Sequence, residues 1–144
     1  MKIFTLLCIC TLALFATKLT RSGNYVIDDK NKLMWQDTRE NVKILVTQDH
    51  AIEYCEKLNL GGFSDWYLPT VKNFETIIDK KRVRAQLMVN KAFKYVKRDD
   101  YWSKDRTWIR NFGEYGYYVF FKSGTIYYQN RTYPKYVKCV RKLK

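Results

Sequence analysis

Histidine occurs once in these 144 residues, proline twice, and acids number 14 against 27 lysines and arginines. Each scarcity excludes something. The single histidine, His50, has no serine or cysteine nucleophile beside it in a recognisable pattern. Nucleophile, base and orienting group must converge for that chemistry, and neither an elbow nor a triad signature is present. His50 therefore reads as an exposed helix residue, and no catalytic site, metal or cofactor is expected. With so little proline, no repeat and no low-complexity tract, there is no sign of a long linker. The length fits one domain.

Long apolar runs are also scarce, and the one that exists is short. Lys2 is followed by apolar residues from Ile3 to Ala16, short of the roughly 20 residues a membrane span needs. The layout is that of a secretory signal, residues 1–16, ahead of a single domain, 17–144. Leu14 fits the cleavage rule poorly, so an uncleaved anchor is the alternative. Cys8 and Cys10 lack the small residues that precede a lipid-attachment cysteine. Their removal with the signal leaves Cys55 and Cys139, which in an exported chain suggest one disulfide; the alternative is two buried free thiols.

What the chain has in excess is positive charge, +13 overall, and aromatic surface, with 12 Tyr, 8 Phe and 4 Trp. Such a balance favours polyanionic partners. Stacking on nucleic acid is one use for that composition, but an export signal argues against it. The expected polyanions are acidic or sulfated glycans, lipopolysaccharide and anionic head groups.

Along the chain, two short strands, Tyr25–Ile27 and Leu33–Gln36, flank an Asp-Lys-Asn turn. Thr47 is a candidate N-cap, and Ala51, Cys55 and Leu58 repeat at helical spacing. Gly61 is expected to stop that helix in a left-handed position. Trp66 and Leu68 then turn inward, Pro69 interrupts any strand, and Thr70 caps a second helix carrying Phe74, Ile77 and Ile78. Further strands are expected at Tyr101–Ser103, Tyr115–Lys122, Thr125–Gln129 and Tyr136–Val140, with a turn at Ser123–Gly124. Two helices followed by an antiparallel meander make an α+β domain.

Two stretches are candidate binding surfaces. The run from Lys80 to Arg98 holds Lys80, Lys81, Arg82, Arg84, Lys91, Lys94, Lys97 and Arg98 and no acid. A charge run is ordinarily a solvated face; the absence of any acid favours a binding role. The second is Arg106–Trp108–Arg110, read as an exposed loop whose indole could stack on a sugar while the arginines take sulfate or phosphate. Trp35, Trp66 and Trp102 read as core. Asp28, Asp29 and Asn31, and Asp99, Asp100 and Asp105, read as turn carboxylates, since neither group follows a calcium-loop spacing.

Six phrases in order carry a resemblance. They are VIDDKNKLMWQD (Val26–Asp37), HAIEYCEKLNLGGFSDWYLPT (His50–Thr70), FETIID (Phe74–Asp79), DYWSKD (Asp100–Asp105), YYVFFKSGTIYY (Tyr117–Tyr128) and YVKCVR (Tyr136–Arg141). Together they resemble the Lcl C-terminal domain family, exported bacterial domains named for the end of a collagen-like adhesin. The resemblance implies a C-type-lectin-like arrangement, two helices packed on irregular antiparallel sheet. The Glu-Pro-Asn and Trp-Asn-Asp motifs of calcium-dependent lectins are absent. It places the family's cysteines at Cys55 and Cys139 and its tryptophans at Trp35, Trp66 and Trp102. Tyr67 stands where the family usually has arginine, and Lys104 where it usually has a small hydroxyl residue. The eponymous domain binds sulfated glycosaminoglycans, but no residue motif for that activity transfers. The resulting expectation is a non-enzymatic binding module, periplasmic, cell-surface or secreted. The alternative is a structural or assembly subunit meeting an acidic protein partner.

Overall fold

The computed structural model describes residues 18–82 and 87–144. The expected signal, 1–16, and Arg84 lie outside them. Thr20–Ser22 (β1), Tyr25–Asp28 (β2) and Leu33–Gln36 (β3) form an antiparallel meander, and Val140–Lys142 (β9) pairs with the far side of β3. The turn between β2 and β3 is held by Asp28, which accepts from the Asn31 backbone at 3.0 Å and its side-chain amide at 2.7 Å. The second sheet has the order β4-β8-β5-β6-β7, built from Leu45–Val46 (β4), Asp100–Ile109 (β5), Gly113–Phe120 (β6), Thr125–Asn130 (β7) and Lys135–Tyr136 (β8). Its pairings are antiparallel except β5 with β8. With helices α1 (Gln48–Lys57) and α2 (Val71–Glu75), the architecture is α+β.

Both helices begin as the sequence predicts. Thr47 accepts from the His50 backbone, and Asp49 places a negative charge in the first turn. Thr70 and Asn73 form a reciprocal capping box on α2. Both helix ends differ from expectation: α2 stops at Glu75, so Ile77 and Ile78 lie beyond it, and α1 ends early too. It stops at Lys57, with Leu58 already extended, so Gly61 does not cap it. Instead Gly61 and Gly62, at φ 64° and 78°, form a two-residue turn closed by reciprocal Leu60–Phe63 bonds of 3.1 Å. Two consecutive positive φ values suit glycine. A Cβ on Gly61 would also lie 1.6 Å from the Tyr25 hydroxyl.

Two strand expectations need correction. The Tyr101–Ser103 strand runs on to Ile109, and the segment expected as a polar loop is a hairpin pairing Trp108 with Glu114. Residues 104–107 are all polar and alternate only between exposed and half-buried, so no apolar face marks the strand. The expected Tyr136–Val140 strand is two pieces in different sheets: Lys135–Tyr136 joins β4 and β5, and Val140–Lys142 joins β3.

The core is split by strand periodicity. All four residues of β3 are buried; Leu33 and Trp35 face one cluster, with Phe74, Phe93 and Phe121, while Met34 faces the other, with Cys55, Trp66 and Trp102. Tyr101 and Trp102 on β5 divide the same way. Trp35, Trp66 and Trp102 are at most 2 % exposed, as their role in the core requires. The Cys55–Cys139 disulfide ties α1 to the segment leading into β9 across 84 residues.

Between the two sheets lies a buried charged junction. Asp37, fully buried, pairs with Arg21 and with Lys138 Nζ at 3.3 Å, and accepts backbone bonds from Lys94 at 2.8 Å and Tyr95 at 2.9 Å. Lys138 is equally buried and also donates to the carbonyls of Gln36 at 2.9 Å and Tyr95 at 3.3 Å. Burial, followed by the Arg21 charge, pushes the Lys138 ammonium down from 10.5 to about 7. Removing Asp37 strands that ammonium. Asp37→Asn should destabilise by about 3–5 kcal/mol in urea unfolding, whereas Lys138→Met, which leaves Asp37 with Arg21 and two amides, should cost clearly less. Equal losses would contradict the asymmetry. The native protein, through Lys138, binds fewer protons than the unfolded chain between about 7 and 10.5. Its stability should therefore rise with pH through that window.

The disulfide gives a second expectation. Loop-closure arithmetic for the 84-residue separation gives about 4.5 kcal/mol as an upper figure. Thiol labelling of oxidised protein should find Cys55 and Cys139 blocked, and Cys55→Ser with Cys139→Ser should lower the urea midpoint without changing the ligand contacts below.

Candidate functional site

Much of the positive charge is structural. Lys135, Lys138 and Arg141 are buried and paired with Asp100, Asp37 and Asp65. Arg106 and Arg131 share Asp49 and Glu114. These interior and half-exposed cations engage carboxylates that would otherwise screen the surface, and among the described residues the exposed lysines other than Lys57, which pairs with Glu53, make no ion pair.

The Lys80–Arg98 run does not form one face. Residues 88–90 are stitched beside 77–79, with Asn90 donating to Ile77 at 2.8 Å and Asp79 to Met88 at 3.0 Å. Val89 and Phe93 enter the core, as their apolar character predicts. Lys80 and Lys81 are exposed but line a cleft with Glu75 and Asp79. Arg82 donates to the Val89 carbonyl at 2.8 Å. Lys97 and Arg98 are exposed ahead of β5. Lys91 belongs to a different cleft, of about 560 Å³, shared with Lys18, Leu19, Arg21 and Ala92.

Next to that cleft, three cations converge on Tyr95. The Arg21 guanidinium and the Lys94 ammonium each lie 5.4 Å from the ring centroid, and Arg39 Nε donates to the phenol oxygen at 3.2 Å. The Arg39 bond, with the charges of Arg39 and Lys94, lowers the Tyr95 phenol below its ordinary value. Asp37 lies beneath and is buried, so its charge is answered inside. Arg21 and Arg39 are outside the sequence run; only the fold brings them to Lys94.

The Arg106–Trp108–Arg110 candidate is on a strand and turn rather than a loop. Trp108 is 74 % exposed, as is Phe112 at 72 %, and Arg110 is exposed. Arg106 is held by Asp49 at 2.7 Å and Glu114 at 3.6 Å, which takes one arm of the proposed clamp.

A third cationic surface draws on residues far apart in sequence and corresponds to no charge run. Lys104 Nζ lies 5.5 Å from the ring centroid of Tyr67, so the two residues that depart from the resembled pattern meet. The turn carboxylates are locally occupied. Asp99 accepts from the Asp100 amide at 2.8 Å, Asp100 pairs with Lys135, and Asp105 accepts from Val71 at 2.6 Å.

No curated protein matches the chain, and no solved structure matches it. The lectin-like relationship therefore stays an expectation from resemblance. The model of the Lcl C-terminal domain matches residues 24–141, from the start of β2 into β9 and across both helices. On that match, the chain belongs to the Lcl C-terminal domain family.

Proposed function

We propose that the protein is an exported, non-enzymatic binding module for acidic or sulfated glycans or other envelope polyanions. The observation carrying this reading is the convergence of Arg21, Arg39 and Lys94 on Tyr95, beside a cleft that Lys18 and Lys91 also line. Cations around a half-exposed ring suit an oxyanion ester on a sugar, because the guanidinium gives paired bonds and the ring gives apolar contact. The disulfide fits an oxidising compartment. Among the described residues no helix is long and apolar enough to cross a membrane.

A protein partner is the second reading, favoured by the exposed Trp108 and Phe112 at one hairpin end. Aromatics beside an arginine are common anchors in protein interfaces.

Retention on a sulfated-polysaccharide column should fall steeply as salt rises, with charges screened over about 8 Å at physiological ionic strength. Arg39→Glu, Lys91→Glu and Lys94→Glu together should reduce binding about tenfold or more while the melting temperature changes little. Lys80→Glu with Lys81→Glu should matter less, since Glu75 and Asp79 already line that cleft. Salt-insensitive retention, or full retention by the triple variant, would exclude the Tyr95 surface.

A further inference from the structure

A groove on the α2 side of the molecule combines four lysines with a lining that has little left to accept a hydrogen bond. Two adjoining hollows share Tyr67, Asn73 and Lys142; one, of about 500 Å³, adds Thr70 and Lys104, and the other adds Lys32 and Lys72. No acid lines either hollow, and among the described residues none of the four lysines makes an ion pair.

The hydrogen-bond arrangement around it is one-sided. The α2 capping box uses both side-chain acceptors: Asn73 Oδ1 takes the Thr70 amide at 3.0 Å and Thr70 Oγ1 takes the Asn73 amide at 2.9 Å. The Thr70 amide donor requires oxygen at that Asn73 position, which leaves the side-chain N–H₂ and the Thr70 hydroxyl proton to donate. Backbone acceptors are used as well. The Tyr67 carbonyl takes Val140 N at 3.0 Å, Pro69 takes Lys104 N at 2.8 Å, Thr70 takes Phe74 N at 3.1 Å, Asn73 takes Thr76 N at 3.1 Å and Lys32 takes Leu143 N at 2.9 Å. Burial raises the Tyr67 phenol above its ordinary value, so it keeps its proton. What remains on this surface is mostly ammonium, amide and hydroxyl donors around one aromatic ring, with the Asn31 side-chain oxygen as an acceptor in the second hollow.

We infer that this groove is a second binding site, separate from the Tyr95 surface, for a compact ligand bearing at least two sulfate or phosphate ester groups. A ligand with donors of its own would find few acceptors here, whereas oxyanion esters accept only. The volume is that of a small-molecule site rather than a track for an extended chain. Four ammonium groups on separate elements exceed what one monoanion neutralises.

The test is calorimetric titration of the oxidised domain at physiological salt. Sucrose octasulfate and inositol hexakisphosphate are the probes, with inorganic sulfate and phosphate at matched ionic strength as monoanions. One-to-one binding of a compact probe, at least about tenfold tighter than its monoanion, is expected, and the two probes decide between sulfate and phosphate esters. Lys104→Ser with Lys142→Gln should weaken it about tenfold at unchanged melting temperature, and Lys104→Arg should preserve it. The Arg39, Lys91 and Lys94 charge reversals should leave it intact. If the groove variant binds as well as wild type, or compact probes bind no tighter than monoanions, the inference is overturned even where polysaccharide retention persists. If compact probes bind through the groove while the column retains nothing, the inference holds and the Tyr95 reading falls.

Discussion

Asp37 is the group on which the rest of the structure depends. Its carboxylate lies directly after β3 and answers Arg21 next to it in the first sheet, Lys138 on the approach to β9, and two amides of the irregular 94–95 segment. Four partners from three parts of the chain fix where the first sheet ends and where the basic segment is pinned. A buried carboxylate with that many donors is well compensated, while without it the two amides lose their acceptor and Lys138 keeps only backbone carbonyls. The Tyr95 surface is downstream of this. Tyr95 and Lys94 are held by their backbone amides on Asp37, so their side chains are free to face outward.

The same logic governs charge. Arginines and a few lysines are drawn inside or onto neighbouring carboxylates, and among the described residues the exposed lysines other than Lys57 make no ion pair. An excess of bases over acids thus becomes local rather than uniform, because the acids are committed to particular sites. Lys80 and Lys81, beside Glu75 and Asp79, show what the surface looks like where acids are still present.

Local chemistry made much of this legible in the sequence. Thr47 and Thr70 announce helix starts because their hydroxyls answer backbone amides within three residues. The tryptophans follow from their apolar and turn neighbours, and the cysteine pair from only two cysteines lying beyond the first sixteen residues. Less was legible where distant residues meet. The glycine pair at 61–62 reads equally as a helix stop or a two-residue turn, and the Tyr25 hydroxyl beside Gly61 comes from another element. The hairpin after Ser103 was hidden because its half-buried face carries Asp105 and Thr107 rather than an apolar series. The groove lysines, at 32, 72, 104 and 142, stand far apart in sequence, so no local window could collect them.

The division of the core by β3 has a consequence for how the chain reaches this state. A strand buried on both faces must be covered from two directions, and its outer neighbour, β9, lies more than a hundred residues away, as the separation of 107 between Met34 and Arg141 indicates. Until that neighbour arrives, Leu33, Met34 and Trp35 present an open edge and two apolar faces. Closing so long a loop is slow relative to forming hairpins or helices. The β5–β6–β7 meander can therefore assemble early, while the first sheet waits for its last member. A chain in that interval exposes apolar strand surface, the condition under which chains aggregate.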